Sequence, residues 1–168
     1  MDYSLNHLKV VGFFRTVEGV SRFSRIYSFP QFIKSFKTIA PLSNFQIIEK
    51  CKELSIKNFK GVFMRDELKE LKSCRNECLI LNHDHSSNGG THWTCLFIKN
   101  SVVFYFDSFG NDPPLEVIDY CKGLERYCST FKIQEYGEVI CGHYSIFVLY
   151  RLSNGYSFFD VLDELYGN

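Results

Sequence analysis

The sequence predicts an α+β fold in which a small, mostly antiparallel sheet packs on one buried helix. Short apolar runs over residues 77–82, 92–98 and 102–107 are typical of strands, and the last two are close enough to form a hairpin. Residues 141–154 are apolar almost all round, and Gly155 follows them as a helix stop. A helix with no polar face is buried, so the sheet and this helix should share one core.

Length and composition describe an ordinary globular chain. It has 168 residues, of which 45% are hydrophobic and 23% are charged, so global disorder is excluded and one domain, or two small ones, is expected. The 19 basic residues balance 19 acidic ones, and no overall field favours nucleic acid or an anionic membrane. No apolar run approaches the roughly 18 residues of a membrane helix, and the N-terminus does not resemble a secretory signal. We therefore expect no membrane association and an intracellular protein.

Seven cysteines, an odd number, argue against a fully paired disulfide scaffold. Reduced thiols in a reducing compartment are the better interpretation, and at least one thiol must stay unpaired. This leaves open which cysteine performs chemistry. The cysteines are Cys51, Cys74, Cys78, Cys95, Cys121, Cys128 and Cys141.

Local signals place the elements of the first half of the main domain. Ser43 followed by Gln46 is a capping box, which predicts a helix that runs to Leu54. Residues 61–72 are expected to form a loop or a short helix. Residues 83–91 are rich in turn-forming residues and should connect two strands as a loop.

The second half of the domain carries similar signals. Asp112 with Pro113 suits the start of a helix, which we expect to continue to about Arg126. Residues 131–135 resemble another short strand. Ser157 is placed to cap a final helix near the C-terminus.

Residues 1–40 differ in charge from the rest of the chain. They contain six basic and two acidic residues, a net charge of +4, with aromatic side chains between the charges. We therefore divide the chain into a basic, aromatic N-terminal extension, 1–40, and a main domain, 41–168. Two interpretations of the extension remain open: an arm that makes weak contact with nucleic acid through charge and stacking, or an irregular segment that lies on the domain.

The hairpin brings a histidine and a carboxylate to the same face. If the loop is Lys99-Asn100, His92 lies directly opposite Asp107. Directly opposed side chains point the same way with Cβ atoms about 5 Å apart, which is within hydrogen-bonding reach of a ring and a carboxylate. The carboxylate would fix the tautomer of the imidazole and stabilise its protonated form. A chance pairing at the strand edge is the alternative.

Cys141 is the candidate nucleophile. It stands at the first turn of the buried helix, where the partial positive charge favours a thiolate, and His92 is the candidate base. Gly142 would let a substrate backbone approach closely. Gln134, at the end of a short strand, could donate to a developing oxyanion together with the Cys141 N–H. The alternative for Cys141 is a small buried side chain without chemistry.

These residues fall within motifs whose order resembles a known family. The order is similar to that of the adenovirus-type (adenain-like) maturation proteases and, more distantly, of the Ulp1-like SUMO proteases. A further stretch, FKGVFMRDEL at 59–68, looks most like the cysteine proteases of Polinton/Maverick elements and related viruses. The resemblance covers about residues 42–165. The motifs are GTHW at 90–93, YFDSFG at 105–110, Gln134, and CGHY at 141–144.

The resemblance implies a papain-like cysteine protease fold and assigns a role to each residue. His92 would be the general base, Asp107 its orienting acid, Cys141 the nucleophile and Gln134 the oxyanion donor. Trp93 would help to wall a narrow cleft that admits glycine-like residues, although a tryptophan packed in the core is equally compatible with the sequence. The adenoviral enzymes have Glu where this chain has Asp107, whereas the SUMO-processing branch has Asp.

The resemblance also implies partners and a setting. The substrates would be viral or Polinton structural precursors cut beside glycine, and we expect a monomer in the host nucleus or the virion. The sequence requires no cofactor and no metal, but the adenoviral enzymes are activated by a short peptide and by DNA, which makes both candidate activators here. Three alternatives stay open: a ubiquitin- or SUMO-like deconjugating protease, an acetyltransferase of the YopJ type, and an inactive binding module.

Overall fold

The computed structural model describes residues 28–167, and they contain a five-stranded sheet and six helical segments. The strands are β1 (Phe59–Met64), β2 (Glu77–Asn82), β3 (Trp93–Lys99), β4 (Val102–Phe106) and β5 (Glu125–Cys128). The helices are α1 (Phe29–Lys34), α2 (Asn44–Glu53), α3 (Leu115–Tyr120), α4 (Cys141–Ser153) and α5 (Phe158–Tyr166), with a 3₁₀ helix at Arg65–Glu70.

The α+β class is confirmed, but the sheet is mixed rather than mostly antiparallel. The strands lie side by side in chain order, β1 to β5. The central pairs, β2–β3 and β3–β4, are antiparallel, whereas the outer pairs, β1–β2 and β4–β5, are parallel. A parallel neighbour requires a crossover, and the 3₁₀ helix and α3 lie in the two crossovers.

Several helices begin where the sequence predicts. Ser43 caps α2 because its Oγ accepts from the Gln46 N–H, and Gln46 Oε1 in turn accepts from the Ser43 N–H at 2.8 Å. Ser157 caps α5 in the same position, and α4 begins at Cys141. No helix in the described part of the chain is long and apolar enough to cross a bilayer.

Two predicted elements are wrong, and a third is correct only in part. The helix expected from residue 112 to 126 is short, Leu115–Tyr120, and Glu125–Cys128 is a strand because its backbone pairs with β4. Residues 61–72, expected to be a loop or a short helix, do contain the short 3₁₀ helix Arg65–Glu70, but their first four residues belong to β1, whose pairing is interrupted by a bulge before Gly61. Residues 131–135 form no strand, because the backbone N–H groups near their end bond to a loop instead.

The hairpin between β3 and β4 turns one residue later than predicted. Asn100 and Ser101 form the turn with positive φ angles of 50° and 64°, so Lys99 pairs with Val102. Two residues in the left-handed region match the type I′ turn, whose twist suits a two-residue hairpin. The predicted Lys99-Asn100 loop is therefore wrong, and each residue of β3 pairs with a β4 residue two positions further along than predicted.

Helix α4 lies against one face of the sheet and forms the centre of the core. Phe147 and the neighbouring apolar residues of α4 are fully buried. Of the predicted extension, residues 28–40 are described, and Phe29 and Phe32 of α1 pack on Tyr144 and Phe147 with ring centroids 4.3 and 5.4 Å apart. This part of the extension belongs to the domain core, while residues 1–27, and with them most of the predicted basic arm, lie outside the described residues.

Candidate active site

The site is built first around a histidine and an aspartate at neighbouring strand ends. His92 directly precedes β3, Asp107 directly follows β4, and Nε2 of the imidazole lies 2.7 Å from Oδ1 of the carboxylate. Extending the observed register would place His92 opposite Phe109, which makes His92 and Asp107 diagonal neighbours. A shift of the turn by one residue preserves the face of every side chain, so the pair still meets.

Asp107 is fixed in place by its own loop. The carboxylate is fully buried, and Oδ1 accepts a second hydrogen bond from the Phe109 N–H at 2.8 Å. The Asp107 N–H donates to Ser129 Oγ at 2.9 Å, and the Phe109 ring packs on the His92 imidazole with centroids 4.7 Å apart. The exposed Tyr136 ring also stacks on Phe109, with ring centroids 5.6 Å apart. The imidazole is therefore held by a hydrogen bond on one edge and an aromatic contact on its face.

Cys141 is the first residue of α4 and is half-buried. The first hydrogen bond of the helix runs from the Tyr144 N–H to the Ile140 carbonyl, and Ile140 offers no side-chain cap. The preceding N–H groups are left without helical partners and carry the partial positive charge of the helix end. The backbone N–H groups of Trp93 and Gly142 lower the pKa of the Cys141 thiol and so favour its ionised form.

The electrostatics of the pair favour a thiolate and an imidazolium. Burial is the largest single effect and opposes ionisation of Cys141. The interaction with His92 and those with the backbone N–H groups of Trp93 and Gly142 together outweigh it, so the pKa of the thiol lies below its usual value. Burial also opposes protonation of His92, yet its hydrogen bonds with Asp107 and Cys141 raise the pKa of the imidazole to about 9. Because Nε2 faces Asp107, Nδ1 is the nitrogen left for the sulfur.

Gln134 is buried beside this pair with its amide orientation fixed. Its Oε1 accepts from Ser108 Oγ at 2.7 Å, and its Nε2 donates to the Glu138 carbonyl at 2.6 Å. A carbonyl oxygen can only accept, so the nitrogen must face Glu138. One amide hydrogen remains for a group in the cleft that Gln134 and Cys141 both line.

The cleft over these residues has a volume of about 690 Å³. His92, Trp93 and Phe109 line it together with Gln134 and Cys141. The arrangement therefore gathers a thiol and an imidazole, a spare amide hydrogen and aromatic walls around one opening.

Trp93, which lines the cleft, and Gly142 pack against each other. The Trp93 Nε1–H donates to the Leu42 carbonyl at 2.9 Å, which fixes the indole. Gly142 is buried beneath it, and a Cβ added there would meet Trp93 Cδ1 at 3.2 Å and Leu42 Cδ1 at 3.4 Å. Gly142 therefore packs against the indole, and its contact with substrate stays a prediction.

Other histidines lie close to the site without joining the pair. His143 is fully buried, packs edge-on against Phe36 at 4.5 Å, and has a pKa lowered to about 4 by burial. His83 hydrogen-bonds to the Tyr105 hydroxyl, and its ring lies 5.4 Å from that of His92. Burial lowers the pKa of His83, and the opposing effect of the Asp107 charge is smaller. Within residues 28–167, no three His, Cys, Asp or Glu side chains form a group that could hold a metal ion.

Comparison with solved structures places the fold among known proteases. No known protein-family model matches the chain. The ASFV pS273R protease superposes with a TM-score of 0.59 at 20% identity, over 77% of this chain and 66% of that one, so the two share a fold. The SUMO protease Ulp1 superposes with a TM-score of 0.45 at 17% identity, over 79% of this chain and 78% of that one.

One curated sequence is also similar. Protein R355 of Acanthamoeba polyphaga mimivirus, which carries the name of a thiol protease, is 25% identical over 101 residues. The match covers 51% of this chain and 32% of R355. The chain thus spans about a third of that relative and about two thirds of the ASFV protease, and the similarity supports a viral thiol protease as the class to test.

Two residues of the site were not singled out from the sequence. Ser108, which holds Gln134, is fully buried directly after Asp107, and Phe109 supports His92. Both lie in the YFDSFG motif beside the predicted acid, so their position in that motif was the one available signal.

Proposed function

We propose that this protein is a thiol endopeptidase, with Cys141 as nucleophile, His92 as general base and acid, and Asp107 as the acid that orients His92. The observation that carries the proposal is one constellation. A half-buried thiol with a lowered pKa opens on a cleft beside an imidazole that is held 2.7 Å from a buried carboxylate. A structural cysteine would need neither the raised imidazole pKa nor the cleft.

Acylation follows from this geometry. The Cys141 thiolate attacks the carbon of a scissile carbonyl, and the carbonyl oxygen takes up the electron pair as an oxyanion. The Cys141 N–H and the spare amide hydrogen of Gln134 supply two donors to that oxygen. Protonated His92 gives its proton to the leaving amine, the C–N bond breaks, and a thioester on Cys141 remains.

Deacylation returns the enzyme to its starting state. Neutral His92 takes a proton from a water molecule, whose oxygen attacks the thioester carbon. The same donors hold the second oxyanion, the C–S bond breaks, and the carboxylic acid product departs. Asp107 keeps the imidazole in the tautomer that both steps need, because its Oδ1 faces Nε2 throughout.

The proposed substrates are polypeptide precursors, of viral or Polinton structural proteins, cut beside a small residue such as glycine. A protein substrate is supported by the thiol-protease name of R355 and the protease fold. A preference for a small residue beside the cut is supported by the fixed indole of Trp93 and the ring of Phe109, which line the cleft together with Cys141.

Competitive alkylation tests the ion pair. The protein is treated with limiting iodoacetamide from pH 5 to 10, and each cysteine is quantified by mass spectrometry. We expect Cys141 to react faster than the exposed Cys74 at pH 7, and His92→Gln to abolish this preference, because only a thiolate is a strong nucleophile. Equal labelling of both thiols in the parent protein would refute the activated cysteine.

Peptide hydrolysis tests the activity itself. A proteome-derived peptide library is incubated with the protein and with Cys141→Ala, and new termini are identified by mass spectrometry. Cleavage confined to the parent protein, with small residues beside the cut, is the expected result. A ubiquitin-like protein extended beyond its terminal diglycine forms a second arm, and cleavage of that probe alone would favour a deconjugating protease. Preferential alkylation of Cys141 without hydrolysis in either arm would favour a binding module.

A further inference from the structure

The turn directly after β4, residues 107–110, contacts both halves of the candidate site. Its first residue, Asp107, holds His92, as described above. Its second residue, Ser108, is fully buried and points the other way, with Oγ donating to Gln134 Oε1 at 2.7 Å. Two adjacent residues thus reach the base on one side and the amide on the other.

The backbone of Ser108 strengthens the second connection. Its carbonyl accepts from the Ile133 N–H at 2.8 Å and from the Gln134 N–H at 3.0 Å. Gly110 allows this approach, since a Cβ there would lie 2.7 Å from the Phe131 carbonyl carbon. Three hydrogen bonds and one close backbone contact therefore set where Gln134 stands relative to the turn.

The hydroxyl controls a degree of freedom that the backbone bonds do not. The terminal torsion of a glutamine side chain is broad, so fixing the main chain leaves the amide plane free to rotate. Ser108 Oγ holds Oε1 while the Glu138 carbonyl holds Nε2, and two fixed ends define the plane. The remaining N–H can then point in only one direction, which is what a preorganised oxyanion donor requires.

We propose that Ser108 is a positioning residue that orients the Gln134 amide toward the oxyanion, so that the dipeptide Asp107-Ser108 aligns the general base and the oxyanion donor from one turn. The inference rests on the proposed protease function. Ser108 contacts neither the sulfur nor the imidazole, and it acts through Gln134 alone.

Kinetics of Ser108→Ala test the proposal on the best-cleaved library peptide, resynthesised as a defined substrate. We expect kcat to fall about 10- to 100-fold with KM within about twofold, because a misplaced donor weakens the transition state alone. The pH profile of Cys141 alkylation should stay that of the parent, since the ion pair is intact. Ser153→Ala is the matched control: it removes a hydroxyl that accepts from the Lys57 N–H at the other end of α4, and it should change neither quantity.

A double-mutant cycle separates positioning from a structural role. In a Gln134→Ala background, Ser108→Ala should lower kcat by less than about twofold, because the group it orients has gone. A Ser108→Ala variant with near-parent kcat, an equal loss in both backgrounds, or a loss of the Cys141 labelling preference would each overturn the proposal. Different results would refute the proposed protease function: no cleavage by the parent protein, or no preferential labelling of its Cys141.

Discussion

Gly110→Ala should destabilise the protein much more than a matched control substitution at another glycine with positive φ. Gly110 has a φ of +71°, and an added Cβ would lie 2.7 Å from the Phe131 carbonyl carbon and 2.8 Å from that of Thr130. Alanine in this left-handed conformation costs about 1–2 kcal/mol. Gly123 has a similar φ of +82° with nothing within 4 Å of the added Cβ, so Gly123→Ala measures that conformational cost alone.

The steric part of the Gly110 effect can be worked from the same distances. Ordinary contact begins at 3.4 Å, so the two backbones must part by about 0.7 Å. The bonds from Ile133 and Gln134 to the Ser108 carbonyl, now 2.8 and 3.0 Å, would then exceed hydrogen-bonding range. At about 1 kcal/mol each, their loss brings the total cost to about 3–4 kcal/mol.

Urea denaturation and thermal melting of the two variants measure the difference. Gly123→Ala should lower the melting temperature by about 3–6 °C, and Gly110→Ala by about 9–12 °C, at about 3 °C per kcal/mol for a chain of this size. Equal losses of stability would show that the segment around Phe131 yields freely, and the argument for a rigid connection to Gln134 would be refuted.

Two further predictions concern the core around α4. Phe32→Ala should lower the free energy of unfolding by about 3–5 kcal/mol because the ring is fully buried against Phe147. Phe45→Ala is the control: this side chain is 77% exposed, so its loss should cost less than about 0.5 kcal/mol. Equal urea midpoints for the two variants would contradict this prediction. His143 has a pKa lowered to about 4 by burial, so the unfolded chain binds its proton first as pH falls. Stability should therefore decline by up to about 1.4 kcal/mol per pH unit from about pH 6.5 toward 4, and His143→Leu should flatten that slope; parallel curves for the two proteins would exclude this origin.

Local signals in the sequence were enough for elements that stabilise themselves. The capping box at Ser43 and Gln46 defines the start of α2 because both partners lie within one turn. The strand Glu77–Asn82 and the helix Cys141–Ser153 were recognisable because burial on every side leaves few polar positions and no polar face.

The elements that were wrong depend on partners far along the chain. Residues Glu125–Cys128 carry no strand pattern of their own and become β5 by pairing with β4. Asn100 and Ser101 form the hairpin turn although serine is not a favoured residue at positive φ. Residue preferences for turns therefore do not identify these two residues as the turn.

Part of the candidate site could be predicted from the sequence for a geometric reason. The proximity of His92 and Asp107 survived a wrong register because moving the turn by one residue keeps both side chains on the same face. Ser108 was missed because its hydroxyl binds Gln134, 26 residues away, and no periodicity connects the two.

The reactive groups come from separate stretches of chain, and their meeting has a consequence during synthesis. The His92 imidazole and the Cys141 sulfur become neighbours only once α4 has docked on β3. A nascent polypeptide leaving the ribosome thus carries an ordinary, sluggish sulfhydryl. Proteolytic activity would arise only when folding is complete, so the growing chain and its neighbours would not be cleaved during synthesis.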